Sequence, residues 1–274
     1  VAFLCVFAGM AFAYGGIPDI KSLIAVGLLF WYISNIAQVV NEYFDIEIDK
    51  IARPYAPIPS GQISREEAKK DTILHYIVAL PLIILIVNAL PVERIPLMII
   101  AFWGVVVTAI YSVPPIRTRE RGVLKNITVT FSPITSFLGG WVSIKGWYIN
   151  TEAILLITTW FFLYISLSLI GDIRDAAGEA EVRCKTLPVR IGIKNTFKIS
   201  FFIGILSALL IFLPVVLNML NRYYTILGLI AIFCILFILV RYYMVFDPKK
   251  GKFYQDKFFI GATLYTIAVI IGSV

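Results

Sequence analysis

Charge is what this chain has little of. Charged residues fill 15% of its 274 positions, against roughly 25% in a soluble globular domain. Hydrophobic residues fill 59% and the mean hydropathy is +0.88. One soluble core cannot hide that much apolar surface, so a bilayer has to act as the solvent. Cysteine is also scarce. Cys5, Cys184 and Cys234 are scattered, which excludes a disulfide framework and the paired spacing of a zinc site. The one histidine, His75, stands beside an apolar run and reads as structural. A basic start and a small-residue cleavage site are missing as well, so no signal peptide is expected. The apolar stretch that opens at Val1 covers about 14 residues, short of the ~20 that span a bilayer. The chain is therefore expected to start partway through a first helix. The net charge of +7 does not indicate nucleic acid, because the cations are sorted by loop.

What is present is a series of long apolar runs, at 1–14, 21–42, 72–92, 95–113, 123–144, 151–171, 196–219, 223–246 and 257–274. Each run after the first is long enough to cross a ~30 Å hydrocarbon core as a helix. They are too long and too uniformly apolar for barrel strands. The expected fold is all-α, a polytopic membrane protein of nine transmembrane helices forming a single domain over 1–274. Twenty of the 24 basic residues fall in alternate connections, and only Lys21, Arg94, Lys145 and Arg222 lie on the other side. The positive-inside rule makes the basic connections cytoplasmic in an integral cell-membrane protein. Ser64 and Glu67 form a capping-box pattern ahead of the third span, and 247–257 reads as a solvated turn near anionic headgroups.

Two of the cytoplasmic connections are acidic. In the first, Asn41, Asp45 and Asp49 are spaced i, i+4, i+8 at the end of the second span. On a helix they share one face. In the second, Asp172, Asp175 and Glu179 follow the sixth span at i, i+3, i+7. Aligned carboxylates repel one another unless a cation sits among them. Mg²⁺ prefers oxygen ligands, typically one or two carboxylates with waters and substrate phosphates. Two such faces across a cavity can hold Mg²⁺ ions that grip a diphosphate, with basic side chains stabilising it as it leaves. Lys50 and Arg53 follow the first face, and Arg183 and Lys185 follow the second. Arg117, Arg119, Arg121 and Lys125 stand between spans four and five.

Here the residues carry a resemblance. Asn41-x-x-x-Asp45-x-x-x-Asp49 is similar to the first aspartate-rich motif of the UbiA superfamily of intramembrane prenyltransferases. Asp175-x-x-x-Glu179, followed by Lys185-Thr-Leu-Pro188, is similar to the second. The resemblance implies a bundle around a central cavity that opens towards lipid, with both motifs at its cytoplasmic mouth. It implies Asn41, Asp45, Asp49, Asp172, Asp175 and Glu179 as the Mg²⁺ set, with Asp45, Asp49, Asp175 and Glu179 acting in catalysis. Lys50, Arg53, Tyr111, Arg117 and Lys185 are the candidates for the diphosphate, together with Asn41. The implied reaction moves a geranyl to geranylgeranyl group from its diphosphate, through a carbocation, to a lipophilic acceptor within the membrane lipids. The acceptor is a lipid or quinone type. Residues 41–49, 57–61 and 172–179 are most similar to archaeal-type synthases that prenylate geranylgeranylglyceryl phosphate, and 54–61 also to chlorophyll synthases. Two residues depart from the pattern: Glu179 stands where Asp is usual, and Ala56 where many relatives carry Arg. A cation-coupled transporter is the rival reading, because intramembrane carboxylates often mark ion paths. Here they cluster at span ends instead of the midplane, without the paired broken helices of a transporter.

Overall fold

A computed structural model describes residues 1–181 and 184–274; Arg183 therefore lies outside the described residues. The helices are α1 Ala2–Tyr14, α2 Ile20–Phe44, α3 Ile46–Ala52, α4 Arg65–Ala89, α5 Arg94–Ser112 and α6 Val123–Lys145. They continue with α7 Thr151–Glu181, α8 Leu187–Ile191, α9 Ile193–Val216, α10 Arg222–Val245 and α11 Gly251–Ser273. Among the described residues there is no strand.

Eight of these helices are long and apolar enough to cross a membrane, and α1 is a shorter apolar helix. The 25-residue helices α2 and α4 extend roughly 37 Å at 1.5 Å per residue, more than a hydrocarbon core of about 30 Å. The nine apolar runs thus map onto nine apolar helices among the described residues. The periodicity did not reveal α3 and α8, two short helices within polar connections. At the start of α4, the Ser64 hydroxyl accepts from the Glu67 amide at 3.2 Å while the Glu67 carboxylate accepts from the Ser64 amide at 2.8 Å. This is the expected capping box.

Within lipid there is little hydrophobic drive between helices, so close packing and hydrogen bonds hold the bundle. Small residues make the closest contact. A side-chain carbon at Gly9 would lie 2.1 Å from the Phe137 carbonyl oxygen, and one at Gly140 would lie 2.2 Å from that of Val6. Each glycine therefore admits the other helix's backbone, bringing α1 and α6 together. Behind them, the rings of Phe137, Trp160 and Tyr265 pack in tilted pairs at centroid distances of 4.8 and 5.2 Å, joining α6, α7 and α11. Large apolar side chains such as Leu85, Phe202 and Phe233 are about two-thirds exposed; on a bilayer-spanning bundle that face meets lipid. Buried charge gathers at one end, where 45–64, 113–122 and the residues after α7 lie.

Candidate active site at one end of the bundle

The first acidic segment keeps its single face through a break in the helix. α2 stops at Phe44, Asp45 turns the chain with φ −96° and ψ 7°, and α3 starts at Ile46. Helical hydrogen bonding continues regardless. The Asp45 amide donates to the Asn41 carbonyl at 2.9 Å, Asp49 to Asp45 at 2.8 Å, and Arg53 to Asp49 at 2.7 Å. The i, i+4, i+8 spacing thus becomes an unbroken backbone relay, and it leaves Asp45 1% and Asp49 5% exposed.

Each buried carboxylate is met by a guanidinium. Arg53 forks onto Asp49 at 2.6 and 3.2 Å, and that hydrogen bond holds Arg53 above its usual basicity. Arg117 reaches Asp45 from 72 residues away at 3.2 Å and also donates to the Phe44 carbonyl at 3.0 Å. Its φ of 36° lies in the left-handed region, a strained conformation for a side-chain-bearing residue that surrounding contacts have to maintain. Arg119 takes the other Asp45 oxygen. Burial pushes the Asp45 carboxyl up to about 6; Arg119 and Arg117 pull against this, and Asp49 adds to it. The buried side-chain oxygen of Asn41 has no hydrogen-bond partner among the described residues.

The second segment is continuous helix, because α7 runs 31 residues and carries its acidic residues past the apolar part. The i, i+7 pair Asp172 and Glu179 shares a buried face and a cation, Lys125, at 2.7 Å from each. Asn126 donates to the remaining Asp172 oxygen at 2.8 Å. Thr186 donates to the remaining Glu179 oxygen at 2.7 Å. Every carboxylate oxygen of that pair is therefore bonded. Asp175 turns aside; its side chain is 41% exposed and pairs with Arg174, which also donates to Gln255 at 3.0 Å.

The two segments meet. α3 packs against α7, and Arg119 lies within electrostatic reach of both Asp45 and Glu179. Tyr111 lies within reach of Lys125, Arg119, Asp172 and Asp45. Two candidates stand apart. Lys50 pairs with exposed Glu47 at 3.0 Å, and the Lys185 side chain lines a neighbouring groove. Arg119 and Lys125 are central, although composition only counted them among the basic residues between spans. For Lys125 a signal exists: a Lys-Asn pair at the mouth of a span needs partners, because polar groups at membrane depth rarely stand alone.

The donor set suits Mg²⁺. Hard oxygens dominate, and one of them, on Asn41, is orphaned. Among the described residues no three His, Cys, Asp or Glu side chains converge to hold an ion by themselves. Mg²⁺ fits this, since it usually takes one or two carboxylates and completes its shell with water and substrate phosphates.

Comparison with known proteins agrees with this geometry. The model of the UbiA prenyltransferase family matches residues 2–263. The chain is 31% identical to digeranylgeranylglyceryl phosphate synthase of Pyrococcus abyssi, over 77% of this chain and 74% of that protein. It is 28% identical to the Pyrococcus furiosus enzyme of the same name, over 98% of this chain and 93% of that one. The structure of a UbiA homologue from Archaeoglobus fulgidus bound to GPP and Mg²⁺ superposes with a TM-score of 0.70 at 19% identity, covering 98% of this chain and 96% of that one.

Proposed function

The chain belongs to the UbiA prenyltransferase family and is an integral membrane prenyltransferase; on that premise we propose that it moves a prenyl group from an allylic diphosphate to a geranylgeranylglyceryl phosphate-type lipid at the cytoplasmic face. The names of the Pyrococcus relatives support the acceptor, and the basic excess at the site's end of the bundle supports the side. The observation that carries the reading is the meeting of two buried carboxylate sets around Arg119 and Tyr111.

In this reading Asn41, Asp45 and Asp49 would hold Mg²⁺, with Asp175 joining them on release from Arg174; the ion would neutralise the charge that grows on the departing diphosphate. Arg117, Arg119 and Arg53 exchange carboxylate oxygens for phosphate oxygens, keeping their charge paired throughout. The planar guanidinium fork suits both partners. Tyr111, within electrostatic reach of Arg119 and Asp45, would donate its hydroxyl to a phosphate oxygen. Lys125 fixes Asp172 and Glu179 so that α7 keeps its place opposite α3. The allylic C–O bond breaks with its electron pair leaving on the diphosphate, and the acceptor hydroxyl oxygen bonds to the allylic carbon as its proton passes to the departing diphosphate. The apolar bundle keeps water from the cation.

The test is pyrophosphate release by the purified protein in detergent, with geranylgeranyl diphosphate and a panel of lipid and phenolic acceptors. Mg²⁺-dependent release that rises with one acceptor and yields its prenylated product is expected. Asp45→Ala acting as fast as wild type would sink the proposal.

A further inference from the structure

Beside the acidic sets lies a groove of about 840 Å³. The connection after α5 and the segment after α7 wall it, held together where the Lys185 amide donates to the Glu120 carbonyl at 3.3 Å. Four cations line it, Arg117, Arg121, Lys185 and Arg190, against one carboxylate, Glu120. Glu120 is engaged by Arg117 at 3.0 Å. Among the described residues no ion pair involves Arg121, Lys185 or Arg190. All three are exposed to solvent.

Three features make this more than a cytoplasmic excess of positive charge. Arg121 is braced, donating to the Pro115 carbonyl at 2.5 Å. Arg190 is seated on Gly122; a side-chain carbon there would lie 3.3 Å from its guanidinium and 3.2 Å from the Lys185 carbonyl. Gly122, with φ 55°, also turns the chain so that α6 starts at Val123. Val123 and Leu124 line the groove, so the positive end of a 23-residue helix adds to the cations. The same two side chains are 51% and 49% exposed, giving the groove an apolar wall where a membrane span begins. An anionic head joined to an apolar body matches both walls.

Arg117 ties the groove to the site, since it lines one and pairs with Asp45 in the other. We infer that the groove is the acceptor's phosphate subsite, where Arg121, Lys185 and Arg190 hold the phosphate of a phosphorylated lipid and so select it over neutral acceptors. In a glycerol phosphate the phosphate and a free hydroxyl are only a few bonds apart. A phosphate held on these cations therefore presents its hydroxyl at the Arg117 boundary with the donor. The three cations are exposed, so selection comes from the charge-assisted hydrogen bonds that a phosphate makes and a neutral acceptor cannot.

This inference rests on the prenyl-transfer reading, and the experiment separates the two. Wild type, Arg121→Ala, Arg190→Ala and the double variant are assayed in nanodiscs of zwitterionic phosphatidylcholine. Each receives geranylgeranyl diphosphate and Mg²⁺, with geranylgeranylglyceryl phosphate or its dephosphorylated alcohol as acceptor. Wild type is expected to prefer the phosphorylated acceptor by about 10-fold in kcat/KM, and the double variant to lose most of that preference through acceptor KM. The donor KM, which also reports that the variants fold, moves less than about twofold, and Arg190→Lys recovers part of the loss. A double variant that keeps the preference, or whose donor and acceptor KM rise together, overturns the assignment. So does a double-variant defect that anionic phospholipid reproduces in wild type by competition, which would make the groove a bulk-lipid site. Wild type that prenylates only the neutral alcohol overturns the subsite and leaves prenyl transfer standing. Wild type that releases no pyrophosphate with either acceptor removes both readings.

Discussion

The two acidic segments have the same kind of residues at the same end of the bundle, yet the fold treats them differently. The α2–α3 carboxylates are paired with arginines, two of them supplied by the connection after α5. That pairing leaves the Asn41 oxygen without a partner. The α7 carboxylates Asp172 and Glu179 are locked by a lysine on a neighbouring helix and by Asn126 and Thr186, with no carboxylate oxygen left over. One segment can change partners and the other cannot without leaving buried charge exposed to a low dielectric. In the proposed reading the second segment therefore serves mainly as a rigid wall, with half-exposed Asp175 as its contact to a ligand.

This contrast yields separable expectations. Lys125→Met leaves Asp172 and Glu179 buried and unpaired, which should cost roughly 3–5 kcal/mol, read as a large drop in the thermal midpoint in detergent. An unaltered melt would show that the α7 pair is not locked. Asp45→Asn should lower kcat/KM by about 10²–10³ with a melt close to wild type; a collapse in stability instead would erase the distinction between the segments. Asp175→Asn sharpens the contrast within α7. Its ion pair is partly exposed and worth about 0–1 kcal/mol, so stability should hold while the Mg²⁺ concentration for half-maximal activity rises, as a Mg²⁺ titration would detect. Glu179→Asp shortens the side chain that bridges Lys125 and Thr186 and should cost about 1 kcal/mol for the lost hydrogen bond. Lys50→Ala should change activity less than twofold in the same assay, because Lys50 faces Glu47 and solvent.

Much of this was legible before the structure. The apolar runs became helices because backbone polar groups in lipid have to be satisfied within the segment. The Ser64–Glu67 cap follows from two side chains three residues apart. The single face of Asn41, Asp45 and Asp49 persisted because successive i to i−4 bonds carry it past Phe44. The i, i+3, i+7 spacing on α7 was less decisive. It aligned Asp172 with Glu179, but Asp175 sits about 60° around the helix, far enough to turn towards Arg174 and the start of α11.

What the sequence by itself determined is therefore local and periodic: which segments span the bilayer, which residues share a face, and which end of the bundle carries the acidic residues and most of the cations. What only the tertiary structure decided is which charge meets which. Arg117 lies 72 residues from Asp45, and Lys125 lies 54 from Glu179. No spacing rule reaches that far, because helix periodicity ends where the helix does. Partnership between helices is set by packing, through the close approach of α1 to α6 and of α3 to α7. That packing brought Arg119 and Lys125 to the centre of the site, left Lys50 at its edge, and opened the Arg121–Arg190 groove beside it.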